Sequence, residues 1–261
     1  MRVPLLRRTA NAVKLARTWR QLPGPLALPA VFRIVRAVRP YTMVPFPGLV
    51  FTIQRAAETA LAGRGGAIVE CGVWKGGASF AMALAQRAAA GRILCPVHML
   101  DSFEGLPPAT ERDGASALAW QSGQDPAQPD AFLRTPEEAV RAAARRLGLS
   151  AHEVEIHRGW FSDTAQPLAR RLARQGGVAL LRLDGDWYDS TLQCLEAFGP
   201  ALQEGAVIIV DDYFVWDGCA RAVHDWLSRH DLPWRVRSIL REGGAWLRAE
   251  TPPPRADALP T

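Results

Sequence analysis

Two short acidic clusters carry the strongest chemical signal in this chain: Asp184-Gly185-Asp186 and Asp211-Asp212. Each follows an apolar run. Val178-Ala179-Leu180-Leu181, interrupted by Arg182 before Leu183, leads into the first, and Ala206-Val207-Ile208-Ile209-Val210 leads into the second. Two adjacent parallel strands would deliver these carboxylates to one rim of a sheet. Carboxylates so crowded repel one another unless something neutralises them, and Mg2+ or a similar cation with hard oxygen ligands is the usual solution. Asp184, Asp211 and Asp212 are the candidate metal ligands. Asp186 is left for proton work, because a hydroxyl at a metal is easier to deprotonate and a nearby carboxylate can take its proton. Two other readings stand beside this one. Asp211-Asp212 could be the acidic first turn of a helix. Asp184 could be a phosphatase-type nucleophile, although no Thr follows at the expected place and no Lys partner is evident.

A second set of residues points to a nucleoside-bearing ligand. Glu70-Cys71-Gly72-Val73-Trp74-Lys75-Gly76-Gly77 closes an apolar run with a glycine turn that lets a ligand approach the backbone. Its spacing matches neither a dinucleotide fingerprint nor a phosphate-binding loop. Glu70 would repel a pyrophosphate and suits an ammonium or sulfonium charge, and S-adenosylmethionine carries both. Asp101, in Leu100-Asp101-Ser102-Phe103-Glu104-Gly105, is placed to accept hydrogen bonds from ribose hydroxyls; capping of the next turn is its structural alternative. In Arg158-Gly159-Trp160-Phe161-Ser162-Asp163, Gly159 permits close approach and Trp160 or Phe161 could flank an adenine ring, unless the aromatics are core.

The elements that must position these groups alternate. Strands are expected at 67–71, 97–100, 154–157, 178–183 and 207–210, with two strand-like pieces at 234–239 and 244–248. Helices are expected at 48–62, 76–90, 135–147, 163–175, 190–202 and 218–230, with Thr135 and Glu138 at capping-box spacing. Such alternation implies an α/β parallel sheet wound on both faces, with ligands beyond the carboxyl ends of the strands. The acids and glycines above all fall at those ends. Residues 104–130 are too long for an ordinary connection and read as a lid or substrate loop. Residues 1–40 read as a separate basic extension, 41–250 as the domain, and 251–261 as a Pro-rich tail.

The chain has 261 residues, 48% hydrophobic and 22% charged, with a net charge of +5. That composition suits a packed core and argues against wholesale disorder. The first 40 residues contain no acid, and Arg7, Arg8, Lys14, Arg17, Arg20, Arg33, Arg36 and Arg39 make them strongly basic. Such a segment is a solvated helix or a contact for a membrane surface or polyanion. No apolar run approaches the ~18 residues of a membrane span, and no clean signal peptide is seen. The four cysteines lack paired or zinc-type spacing, so buried thiols in a cytoplasmic protein are expected. His98, His152, His157, His224 and His230 show no ligand spacing, and His224, on an expected helix, reads as structural or exposed.

Taken together, these motifs resemble the macrocin O-methyltransferase family (the TylF/MycF type) within the class I S-adenosylmethionine-dependent methyltransferases. The match runs from about Tyr41 to Trp246. It rests on Tyr41-Thr42-Met43, Val69 to Gly77, Leu100 to Pro107, Gly159 to Thr164, Leu183 to Thr191 and Val210 to Tyr213. Cys219 after Gly218 also fits, whereas Trp187 stands where family members often carry a smaller or polar residue. The resemblance implies a Rossmann-like, seven-stranded, mostly parallel sheet and Mg2+-dependent methyl transfer from S-adenosylmethionine to a hydroxyl, typically on a sugar. It implies that Asp184, Asp211 and Asp212 bind the metal and that Asp186 is the base. It places Met43, Glu70, Gly72, Ser79, Asp101, Ser102 and Gly159 around the co-substrate, with Trp160 beside them. The expected partners are a small-molecule or glycan acceptor and a second copy of the chain, not nucleic acid. A catechol-type methyltransferase or metal-dependent hydroxylase, and a non-catalytic carbohydrate- or membrane-surface-binding protein, are the alternatives.

Overall fold

The computed structural model describes residues 5–123, 131–240 and 243–250. Helices α1 (Leu5–Gln21), α2 (Leu28–Val38) and α3 (Phe46–Ala62) precede the first strand. Then follow β1 (Ala67–Cys71), α4 (Gly77–Ala90), β2 (Val97–Asp101), α5 (Ala115–Ser122), α6 (Glu137–Arg146) and β3 (Val154–Arg158). The remainder is α7 (Phe161–Arg174), β4 (Val178–Leu183), α8 (Tyr188–Phe198), β5 (Leu202–Val210), α9 (Asp217–Arg229), β6 (Arg237–Ser238) and β7 (Ala245–Arg248). The seven strands form one sheet in the order β3-β2-β1-β4-β5-β7-β6. Strands β1 to β5 run parallel, and β7 is antiparallel to both β5 and β6.

The largely apolar runs of β1, β4 and the second half of β5 are explained by burial on both faces, as parallel sheets require. Their side chains alternate between two cores. Ile68, Leu180, Val207 and Ile209 enter one with residues of α1 to α4 and α6. Val69, Leu181, Ile208 and Val210 enter the other with residues of α7, α8 and α9. Each such fully buried aliphatic side chain contributes about 1.5–3 kcal/mol. Helices α3 and α4 end at Gly63 and Gly91, both left-handed, whose N–H groups bond back to Ala60 and Arg87.

Residues expected to form a basic extension share the first core. Val31, Ile34, Val35 and Val38 of α2 are buried there, while Arg33 and Arg36 face outward. The expected cap at Thr135 does not form. Helix α6 begins at Glu137 after Pro136, and the Thr135 hydroxyl is buried without a hydrogen-bond partner. Pro136 is itself the N-cap residue, extended at ψ 132°, so the helix opens one residue beyond the start that Thr135 would cap. The 104–130 segment contains a 3-10 turn at Glu111–Asp113 and α5, while 124–130 and the tail 251–261 lie outside the described residues. Among the described residues no helix is long and apolar enough to cross a membrane. All four cysteines are buried and free of disulfides.

Candidate active site

The chain turns toward opposite sheet edges after β1 and after β4, so a crevice opens between the carboxyl ends of these neighbouring strands. A cavity of about 270 Å³ occupies it, and Glu70, Asp101, Gly159, Asp184, Asp186, Asp211 and Asp212 all reach its wall. Closeness of the two strand ends depends on Gly72. Its φ is +86°, and a Cβ there would lie 1.8 Å from the Asp184 carbonyl oxygen. Replacing Gly72 with Ala should therefore cost stability, by roughly 1–3 kcal/mol or more for the left-handed backbone and the clash. A denaturation midpoint equal to the parent's would show that the two strand ends can separate freely.

Arg182 lies at the centre of the acids. It is fully buried, and one Nη1 reaches Glu70 Oε1 and Asp184 Oδ2, each at 2.7 Å. Its Nη2 is 2.6 Å from Asp211 Oδ1 without hydrogen-bond alignment, and Nε has no partner. Burial alone would disfavour the guanidinium charge, but Asp184, Asp211 and Glu70 together outweigh it. The sequence showed Arg182 only as an interruption in an apolar strand. A lone charge in a run buried on both faces was the available signal, because it must find counter-charges on neighbouring strands.

One guanidinium does not neutralise the cluster. Burial, against the pull of Arg182 and the Ser79 hydroxyl, pushes the Glu70 carboxyl up to about 7. Burial likewise raises Asp211 to about 7 despite Arg182, and raises Asp186 to about 7 with Asp184 adding to the effect. Asp212 is also pushed well above the usual carboxylate range, by burial and then by Asp186 and Asp184. The set is short of positive charge, and Asp184, Asp211 and Asp212 offer one oxygen each within 4.8 Å of one another. This donor set fits a hard divalent cation.

Asp186 is held differently from its neighbours. Its φ is +58°, a conformation that Asp tolerates and most residues do not. Its N–H faces Asp212 Oδ2 at 3.3 Å, and Trp216 Nε1 donates to its Oδ1 at 2.9 Å. Trp216 belongs to a group with Trp120 and Trp187, whose ring centroids are 5.2 to 6.1 Å apart in edge-on contact. The loop before α5 is tied down over this group. Trp187 Nε1 donates to Pro107 O at 2.9 Å, and Tyr188 N donates to the buried Asp113 Oδ1 at 2.7 Å, which caps α8. Neither Asp113 nor Trp216 was distinguishable in sequence from ordinary loop residues. Asp189, in the first turn of α8, pairs with Arg112 at 2.9 Å.

The other expected residues divide. Asp101 accepts from the N–H groups of Val73 and Trp74 at Oδ2 and of Phe103 at Oδ1, so it ties the glycine turn to the end of β2. Both readings of Asp101 meet here, since the same carboxylate also lines the cavity. Ser102 closes the next turn through Glu104 N and Gly105 O. Met43 and Trp160 reach the cavity with exposed side chains, and Gly159 lines it beside them. Ser79 is fully buried behind Glu70 and donates to its Oε2, so it bears on the cavity through that carboxylate.

Comparison with known proteins accords with this arrangement. The sequence profile of the macrocin-O-methyltransferase (TylF) family matches residues 40–248. A Streptomyces olivaceus protein, 8-demethyl-8-(2,3-dimethoxy-alpha-L-rhamnosyl)-tetracenomycin-C 4'-O-methyltransferase, is 38% identical over 74% of this chain and 70% of its own. Mycinamicin III 3''-O-methyltransferase of Micromonospora griseorubida is 33% identical over 76% and 74%. The solved structure of the O-methyltransferase NovP superposes with a TM-score of 0.68 at 30% identity, covering 80% of this chain and 81% of that one.

Proposed function

This chain belongs to the macrocin-O-methyltransferase (TylF) family and is an O-methyltransferase, and on that premise we propose that it methylates a sugar hydroxyl of a glycosylated small molecule or glycan, using S-adenosylmethionine and Mg2+. The observation that carries the proposal is the shared cavity: the acids of β4 and β5 and the co-substrate candidates of β1, β2 and β3 line one wall. Named sugar methyltransferases among the relatives support the acceptor class.

In this reading Asp184, Asp211 and Asp212 hold the cation. Mg2+, when bound, supplies positive charge that favours loss of the acceptor proton. Arg182 keeps Asp184 and Asp211 in place by its charge contacts. Trp216 orients Asp186 through Oδ1, which leaves the other oxygen to take the acceptor proton. Met43, Glu70, Gly72, Asp101, Ser102, Gly159 and Trp160 hold the co-substrate, with Ser79 positioning Glu70. The acceptor oxygen forms its bond to the methyl carbon as the carbon–sulfur bond breaks, leaving a methyl ether and S-adenosylhomocysteine, with the proton on Asp186. Little covalent work falls to the protein, so positioning and preorganised charge supply most of the acceleration.

Calorimetry with S-adenosylmethionine, with and without Mg2+, joined to a labelled methyl-transfer screen of rhamnosides, other glycosides and catechols, tests this directly. Glycosides should be labelled, chelation should abolish labelling, and Asp211→Ala should lose Mg2+ binding and turnover together. Full activity of Asp211→Ala in the presence of chelator would overturn the metal assignment, and labelling of catechols alone would overturn the acceptor class.

A further inference from the structure

A second group of metal-type donors lies on the sheet away from the cavity. His98 sits near the start of β2, and Glu155 and His157 are two residues apart on the edge strand β3. Register places Glu155 beside His98 and His157 beside Leu100, so the three side chains share one face of the sheet. This is the face covered by α7, α8 and α9, since Leu100 belongs to that core. His98 is buried, while Glu155 is exposed enough to admit solvent at the sheet edge.

The donor atoms converge. His98 Nδ1 is 3.1 Å from His157 Nε2 and 3.4 Å from Glu155 Oε2, and His157 Nε2 is 3.5 Å from Glu155 Oε1. One ligand atom from each residue falls within 4.8 Å of the others. A tetrahedral zinc with ligand distances of about 2.0–2.2 Å separates neighbouring ligand atoms by roughly 3.3–3.6 Å. The donor separations of 3.1 to 3.5 Å are close to that spacing, with the two histidines facing different oxygens of Glu155, and solvent reaches Glu155 from the edge to supply a fourth ligand. Arg171 of α7 holds the same Oε1 of Glu155 at 2.8 Å and fixes the carboxylate, as the outer partners of metal ligands commonly do.

We infer that His98, Glu155 and His157 form a binding site for Zn2+ or a similar borderline transition-metal ion that clips edge strand β3 to β2, separate from the acids of the cavity. The imidazole-rich donor set favours zinc over Mg2+, which prefers oxygen ligands throughout. The function of such an ion is structural: it joins two strands that are far apart in sequence at the edge of the sheet.

The test uses the full chain with Mg2+ in excess, so that the cavity acids are masked. Titration with Zn2+ should give one bound equivalent and a higher melting temperature. With Co2+ substituted, an intense visible spectrum of tetrahedral type should appear. His157→Gln should weaken Zn2+ binding by more than about tenfold and remove the thermal gain, whereas Asp211→Ala should leave both intact. Glu155→Gln, at the solvent edge, provides the same comparison should His157→Gln fold poorly. Equal Zn2+ affinity in the parent and either of these variants, a weak octahedral Co2+ spectrum, or loss of the Zn2+ effect in Asp211→Ala would each overturn the assignment. A hydrogen-bonded histidine pair with no ion would show no bound equivalent at all.

Discussion

Asp186→Asn is expected to lower kcat by about 10²–10⁴-fold, the usual contribution of a positioned general base, with Mg2+ and S-adenosylmethionine binding retained. The substitution is clean because Asn keeps the shape of the side chain, can still accept the Trp216 hydrogen bond, and tolerates the positive φ at this position. What it removes is the proton-accepting charge. Without a cation, burial and then Asp184 lift the Asp186 carboxyl to about 7, and Mg2+ on Asp184 and Asp211 would bring it down and favour the proton-accepting form. Turnover by the parent should therefore rise with pH as Asp186 deprotonates, over a range that lies below 7 with Mg2+ bound, and the variant should lack that limb. Steady-state rates across pH, with calorimetric binding on the same samples, measure both. A variant that turns over at the parent rate with an unchanged profile would remove Asp186 from the chemistry.

Arg182→Met should be strongly destabilising, by about 3–5 kcal/mol, the range found when one partner of a buried charged set is removed. Met roughly fills the space, so the loss reports charge rather than a void. Glu70, Asp184 and Asp211 would lose the guanidinium that contacts all three. Chemical denaturation in chelator measures it, and a change within about 0.5 kcal/mol, the scale of an ordinary surface substitution, would show that the acids need no internal cation. A pH dependence accompanies this. Glu70, Asp186 and Asp211 have folded-state values near 7, above their unfolded values. The folded state then binds more protons than the unfolded one, so stability is lost as pH rises through 7. The metal-free parent should be more stable at pH 6.5 than at pH 8, and the variant should show the steeper slope. Below pH 6.5 the trend is opposed by His98, which burial lowers to about 4 and which therefore costs stability as acid protonates the unfolded chain.

The strands and the helices from α3 onward, α5 apart, were legible because their causes are local. Runs such as Ile208-Ile209-Val210, short, β-branched and apolar at every position, suit strands buried on both faces, and Gly63 and Gly91 stop α3 and α4 with left-handed backbone. Local too is the placing of acids and glycines at strand ends, which made a ligand-binding rim readable before any strand order was known. The core role of α2 was harder to see, since Arg33 and Arg36 on its outer face make the segment read as basic, and only packing reveals that Val31, Ile34, Val35 and Val38 are covered.

By itself the sequence determined an α/β alternation with acids at two strand ends, because hydrophobic period and chain punctuation act over a few residues. Only the tertiary structure decided what those acids meet. Arg182 and Glu70 are 112 residues apart, and their contact exists because β1 and β4 are neighbours in the sheet. Asp113 caps a helix 75 residues away, and His98 meets His157 across 59 residues. Charge pairing and metal-type convergence act over a few ångströms in space, and chain separation carries no record of which strands will lie side by side.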